Sequence, residues 1–313
     1  MKTFGLYEEG FLAACTINGG GTGGGSGGGG GSGSGVGTTW TLRNPGFRTL
    51  HGVAHGNGTF VAVGGRGAIL TSPDGVIWTE PTSPTSNWLG GVTYGNGRFV
   101  AVGEDGTILT SPDGVDWTAR TSGTGKSLNG VTHGNGLFVA VGEDGTLLTS
   151  PDGVTWTQQT SGTSNDLRGV TYGNGLFVAV GGYIGSWSSG NVILTSPDGI
   201  NWTARTSGTD DRLEGVTYGD GLFVAVGGGI ILTSPDGVDW TERASGTGKS
   251  LNGVTHGNGL FVAVGYRGAI LTSPDGVSWT ARASGTGKSL NGVAHGNGLF
   301  VAVGEDGAIL TSP

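Results

Sequence analysis

Seven near-copies of a single unit make up almost everything after residue 37, and the copy from Leu128 to Thr157 reads LNGVTHGNGLFVAVGEDGTLLTSPDGVTWT. Repetition at this period confines the chain to architectures in which like units stack side by side and bury one another's apolar faces. Within the unit, four short apolar runs are separated by three turn signals, the pattern of a small antiparallel sheet. Leu128 to His133 forms the first strand, and Gly134-Asn135-Gly136 supplies the positive φ angles of a type I′ hairpin. The unbroken apolar run Phe138 to Gly142 implies a second strand covered on both faces. Glu143-Asp144-Gly145 turns the chain into a third strand, Thr146 to Ser150. Pro151-Asp152-Gly153 then leads to a fourth strand carrying Trp156, whose large apolar area is expected to fasten one sheet to its neighbour.

The phase of the repeat carries the strongest inference. The FVAVG pentads begin at Phe60, Phe99, Phe138, Phe177, Phe223, Phe261 and Phe300, and the matching tryptophans are Trp40, Trp78, Trp117, Trp156, Trp202, Trp240 and Trp279. The first tryptophan precedes the first pentad, whereas the last copy stops at Thr311-Ser312-Pro313 without a fourth strand of its own. Each end holds what the other lacks. Pairing of Thr38-Thr39-Trp40-Thr41 with the strand ending at Ser312 would close the sheets into a ring and leave no open edge. The expected fold is all-β: a seven-bladed β-propeller of four-stranded antiparallel blades, closed by the N-terminal strand. A straight solenoid requires no such offset and usually has atypical capping repeats.

The domain reading is a leader over residues 1–15, a Gly/Ser-rich tether over 16–37 and the propeller over 38–313. The tether behaves as a coil with an end-to-end distance of about 25 Å. A formal net charge of −8, with no basic run, argues against a nucleic-acid partner. No apolar run approaches the about 18 residues of a membrane span. The one cysteine, Cys15, excludes an internal disulfide. It closes the sequence Leu12-Ala13-Ala14-Cys15, which resembles the lipobox at which bacterial lipoproteins are cleaved and acylated. That resemblance implies an extracytoplasmic protein, at the outer membrane or cell surface, touching the membrane only through lipid on Cys15. Glu8-Glu9 lies where the apolar core of a signal peptide belongs, and without a working leader the expected location is the cytoplasm.

Ser-Pro-Asp-Gly-x-x-Trp, as in Ser111 to Trp117 and Ser234 to Trp240, resembles the Asp-box of the BNR repeat family of sialidases and secreted propellers, with one residue fewer between aspartate and tryptophan. In that family the box is a structural hairpin. Asp74, Asp113, Asp152, Asp198, Asp236 and Asp275 therefore read as turn residues bonded to local backbone N–H groups. Calcium is disfavoured because one carboxylate per turn is too few for a cation wanting six to eight oxygens. A sialidase-like hydrolase is the enzymatic alternative, but its site would be asymmetric, whereas Arg120, Arg205, Arg243 and Arg282 recur at one place around the rim. His55, His133, His256 and His295 share a position with Tyr94, Tyr172 and Tyr218. Tyrosine cannot stand in for a neutral imidazole ligand, so hydrogen bonding across blade boundaries is expected instead of zinc binding. No metal, cofactor or catalytic residue is assigned.

The copies differ chiefly in the turn between second and third strands and in the connection from fourth strand to next blade. Both emerge on one face, and loops on a rigid scaffold are where binding resides. This face also carries Trp88 and Trp187, the tryptophans outside the blade pattern, and the insertion Gly182 to Asn191. The candidate ligand residues are Trp88, Tyr183, Trp187, Asp210, Arg212, Tyr266 and Arg267. Together they suggest a monomeric, non-catalytic scaffold that binds a glycan or protein ligand; a structural or assembly factor holding one partner protein is a further alternative.

Overall fold

The computed structural model describes residues 36–43, 46, 48–182 and 190–313. Leu12 to Cys15, Tyr183 and Trp187 lie outside them. The described chain forms seven antiparallel sheets that together make a seven-bladed β-propeller. The second blade is typical, with strands Leu89–Gly95, Arg98–Gly103, Ile108–Ser111 and Thr118–Arg120 paired in chain order. Asn57, Asn96, Asn135, Asn174, Asn258 and Asn297 take positive φ in the first hairpin, as does Asp220 in the fifth blade. These are the angles a type I′ turn requires.

Alternation along the pentad builds the core. Phe99 and Ala101 of the second blade face the first blade's Val61, Val63 and Ile69. Val100 and Val102 point the other way, towards Leu128, Phe138 and Ala140 of the third. Both faces of each second strand are thus buried, which accounts for its unbroken apolar sequence. The seven pentad phenylalanines are all at most 1% exposed. The seventh of these clefts joins Val301, Val303 and Ile309 to Leu50, Phe60 and Ala62, so the series returns to its first blade.

Ring closure occurs inside a turn. Thr41 and Leu42 pair with Thr311 and Leu310, and Arg43 Nε donates to Thr311 Oγ1 at 2.7 Å. Arg120, Arg205, Arg243 and Arg282 make the same bond within their blades, to Thr110, Thr195, Thr233 and Thr272 at 2.8–2.9 Å. They are cross-strand ties and do not converge on a site. Trp40 Nε1 donates to the Gly37 carbonyl at 3.2 Å, as Trp78 does to Gly75 and Trp117 to Gly114. The Gly37 N–H in turn donates to the Pro313 carbonyl at 2.8 Å. Ser312-Pro313 therefore begins a box that Val36-Gly37 and Trp40 complete from the other end of the chain. Val36 and Gly37, at the end of the tether in the sequence reading, belong physically to this turn.

In the six continuous boxes the aspartate Oδ1 accepts two backbone N–H bonds, for example from Val76 and Ile77 to Asp74 at 2.8 and 2.9 Å. The backbone bonds from Ser278 and Val277 hold the Asp275 carboxyl down to about 2. One blade departs from the four-stranded expectation: in the first, the fourth strand is reduced to a single bridge between Thr71 and Thr79. Its sister blades continue the ladder at the position held here by Pro81, which has no N–H to donate.

Deleting Gly35 to Arg43 should strip Trp40 from the cleft between the sixth and seventh blades and lower stability by several kcal/mol, whereas deleting Met1 to Ser34 should leave it unchanged. Thermal melts of the two truncations check this, and equal melting temperatures would contradict closure by this strand.

Candidate functional site

The innermost strands pack against one another around the hub, and their second residues line one mouth of the central channel. The mouth lies on the face of the variable loops: the strand-two-to-three turn of the second blade donates from Glu104 N–H to the Trp88 carbonyl, just before the inner strand begins. It is a cavity of about 380 Å³ bordered by residues from all seven blades. Three blades carry the same pair there, Ser127 with Asn129, Ser250 with Asn252 and Ser289 with Asn291. Each asparagine Nδ2 donates to the next blade's leucine carbonyl: Asn129 to Leu167 at 2.8 Å, Asn252 to Leu290 at 2.9 Å and Asn291 to Leu50 at 2.8 Å. Asparagine is what the fold itself asks for here, because it ties blade to blade.

The other four blades depart from that pair, and they do so in two neighbouring couples. In the first and second blades the residues are Thr49 with His51 and Trp88 with Gly90. A Cβ on Gly90 would sit 2.7 Å from the Trp88 ring, so the missing side chain is what lets the indole lie across the mouth. His51 meets that indole edge-on, ring centroids 4.9 Å apart. Burial pushes the His51 imidazole down to about 4, so this side of the mouth is uncharged at neutral pH.

In the fourth and fifth blades the pairs are Asp166 with Arg168 and Arg212 with Glu214. Arg168 Nη2 donates to Asp166 Oδ2 at 3.1 Å, Arg212 is ion-paired with Glu214, and these side chains are 17 to 34% exposed. The order of sign reverses between the blades, so Arg168 and Glu214, at the same position of neighbouring inner strands, bring opposite charges to the mouth, whereas Asp166 does not border it. Arg168 Nε is buried without a hydrogen-bond partner.

The sequence-derived candidates divide accordingly. Trp88 and Arg212 both border the mouth. Asp210, two residues from Arg212, lies in a separate groove of about 340 Å³ with Gly190, Asn191 and Arg205. Tyr266 and Arg267 form a cation–π pair at 5.0 Å on the sixth blade's turn, away from the mouth. Tyr183 and Trp187 lie outside the described residues, but the preceding Gly182 is against Arg212, its Cβ position 3.2 Å from Arg212 Cγ. Sequence reasoning missed His51, Arg168, Glu214 and the three asparagines. The signal was a single variable position inside an otherwise uniform strand.

The histidine and tyrosine ring lies near the other end of the inner strands and behaves differently from the expectation. Each ring packs over a glycine of the preceding blade, Tyr94 over Gly56 and His133 over Gly95, and against its own pentad phenylalanine. Of the four histidines, all among the described residues, His256 makes the expected bond, to Asp220 at 3.1 Å, while the Nε2 atoms of His55, His133 and His295 are buried without one. Asp220 occurs where other blades have asparagine, and two of those, Asn96 and Asn297, donate to the Pro151 and Pro73 carbonyls instead. Stacking on glycine, not hydrogen bonding, is the shared role. Among the described residues no group of three or more His, Cys, Asp and Glu side chains is placed to hold a metal.

No protein-family profile matches the chain, and no curated protein matches it. Solved structures do. YCF48 bound to D1 peptide aligns with TM-score 0.69 at 17% identity, over 88% of this chain and 94% of that one. A catalytically inactive virginiamycin B lyase from Staphylococcus aureus with quinupristin aligns with TM-score 0.75 at 12% identity, over 88% and 99%. The WD40 β-propeller domain of Doa1 gives 0.67 at 15%, over 88% and 97%. At these identities the likeness establishes the propeller fold.

Burial lowers the imidazoles of His55 and His133, and of His295 together with repulsion from His256 and His55, below the ordinary 6.5. A base that titrates lower when folded stabilises the fold above its unfolded value and loses that contribution as pH falls. Stability should therefore decline below pH 6.5, with the His51 part extending to about pH 4. Urea midpoints across this range check the decline, and replacing His55, His133 and His295 by the tyrosine of sister blades should flatten its upper part. An unchanged pH profile in that triple variant would contradict the assignment.

Proposed function

We propose that the protein is a non-catalytic scaffold that binds a polypeptide ligand at the channel mouth on its variable face. The observation that carries this reading is that the departures from the Ser-x-Asn pair converge there. Each departing blade forgoes a cross-blade hydrogen bond of about 1 kcal/mol, and Arg168 leaves a charged donor unpaired. A fold that sacrifices stability at one concave spot is behaving as binding sites do. Asparagine amides, a tryptophan and ion pairs suit backbone and side-chain recognition. Trp88 is half-buried across Gly90, which fits a side chain in the cavity better than a sugar stacked on an open ring. The peptide carried by YCF48, a propeller of the same fold, supports the reading by analogy.

The finer expectations belong to the same proposal. The repeated turn is Asp-box-like in use, its aspartates capping the hairpin. Leu12 to Cys15 supports an extracytoplasmic protein held by lipid on Cys15. Expressed from Met1 in a bacterium, the protein should partition into detergent with Cys15 intact and into the aqueous phase as Cys15→Ser; equal partitioning of the two would count against the anchor.

The binding reading is tested by converting the departing blades to the common pair: His51→Asn, Trp88→Ser with Gly90→Asn, Asp166→Ser with Arg168→Asn, and Arg212→Ser with Glu214→Asn. The converted propeller should fold and melt at or above the wild-type temperature while losing at least tenfold in affinity for whatever a peptide array returns. Trp88→Ser with Gly90→Asn alone should cost about 1–3 kcal/mol of binding. A glycan array run in parallel that gives a Trp88-dependent hit, or a converted protein that keeps its ligand, would overturn the peptide reading.

A further inference from the structure

The composition of the mouth narrows what can occupy it. Its apolar pole, Trp88 over Gly90 with His51 edge-on, spans the first and second blades; its ionic pole, Arg168, Arg212 and Glu214, with Asp166 paired to Arg168 from outside the lining, spans the fourth and fifth. One blade lies between the two couples on one side and two on the other, so the poles face each other across one cavity of about 380 Å³. That volume lies near the small end of the range for ligand pockets, and it admits the tip of a chain but not a folded surface.

The ionic pole has no net charge. The second inner-strand residues that line the mouth here are Arg168 in the fourth blade and Glu214 in the fifth, opposite charges on neighbouring blades; Arg212 lines it beside Glu214, and Asp166 pairs with Arg168 from outside the lining. A ligand bearing two like charges meets attraction at one of these blades and repulsion at the other. A ligand bearing adjacent opposite charges can place its acid towards Arg168 and its base towards Glu214. Like-charge juxtaposition in such a partly desolvated site is disfavoured, and this gives the arc selectivity that a purely basic or acidic patch would lack. At the opposite pole the indole, held down by the absence of a side chain on Gly90, offers apolar contact beside an uncharged imidazole.

We infer that the mouth accommodates a peptide segment in which an aromatic or large apolar side chain lies close to a pair of adjacent, oppositely charged residues. This rests on the peptide-binding reading above and adds the ligand's chemical class to it. The apolar side chain sits against Trp88, and the charged pair lies along the Arg168–Glu214 arc. The asparagine amides of the third, sixth and seventh blades each donate to the neighbouring leucine carbonyl, and Asn252 Nδ2 also reaches Asn291 Oδ1 at 3.4 Å, which leaves the Asn129 and Asn252 carbonyl oxygens for the segment's backbone.

The test uses four fluorescein-labelled hexapeptides titrated by anisotropy with the full-length chain. Their cores are Phe-Gly-Lys-Glu, Ala-Gly-Lys-Glu, Phe-Gly-Lys-Lys and Phe-Gly-Glu-Glu. The Phe-Gly-Lys-Glu peptide should bind at least tenfold tighter than each of the other three. Trp88→Ser with Gly90→Asn should erase the preference for phenylalanine over alanine and keep the preference for the mixed pair. Converting the fourth and fifth blades should do the reverse. Like-charged peptides binding as tightly as the mixed one, no difference between phenylalanine and alanine, or no binding by any of the four would overturn the ligand class. Equal binding of all four that disappears in the fully converted protein would leave the mouth as the binding site. Equal binding that survives full conversion would remove the mouth itself.

Discussion

The propeller depends on how closely its inner strands approach at the hub. A Cβ on Gly52 would lie 3.1 Å from the Gly90 carbonyl oxygen, one on Gly91 3.1 Å from that of Asn129, and the series returns to its start with Gly292 2.8 Å from the His51 oxygen. A side chain at these positions would force the neighbouring strand to give by a few tenths of an ångström or more. Farther along the same strands, a Cβ on Gly296 would fall 2.0 Å from the His55 ring, so a second glycine in each blade makes room for its neighbour's aromatic ring. The high glycine content of the blades, 71 in the whole chain including the tether, is therefore partly a condition of closing seven blades around so narrow an axis. Hydrophobic burial then fills the wedge between blades with Phe, Val, Leu and Ile from the second and third strands.

This construction separates positions the fold dictates from positions it leaves free. Phenylalanine, valine and glycine in the inner two strands are fixed by packing. The second residue of each inner strand faces the channel mouth, and the fold needs nothing there beyond a donor to the next blade's carbonyl. Where that donor is absent, in four blades of seven, the substitutes are an imidazole, an indole lying over a bare backbone and two opposed ion pairs. A symmetric ring thereby acquires one asymmetric opening without any change in its core.

Almost the whole architecture was legible in the repeat, because alternation, turn residues and the offset between Trp40 and Ser312 each have a direct physical meaning. The candidate site was legible only in part. Trp88 and Arg212 stood out because they break the pattern in a loop, but Arg168 and Glu214 are single changes within a strand, and their proximity follows from the curvature of the ring. Asp210 and Arg212 look like neighbours in sequence yet open into different cavities, since the chain turns inward between them. The first blade's shortened fourth strand has its cause in one residue, Pro81, whose effect depends on a ladder register that periodicity alone does not reveal. The histidine ring was expected to hydrogen-bond because imidazole and phenol share that capacity; what they share here is a flat face that fits over glycine.

The split turn at the ring's seam has a consequence for how the molecule comes into being. Arg43 and its partner Thr311 are 268 residues apart, so the outermost strand of the last blade is made first and must wait for nearly the entire chain before its partner exists. During that interval Trp40 has no cleft to enter, and the apolar faces on either side of the seam stay open. Folding by such a remote contact is slow relative to the local hairpins that build each blade. Six blades can assemble as they emerge from the ribosome, while the seventh is held in suspense and locks only when Ile309–Ser312 appears, making ring closure a checkpoint on the synthesis of every blade.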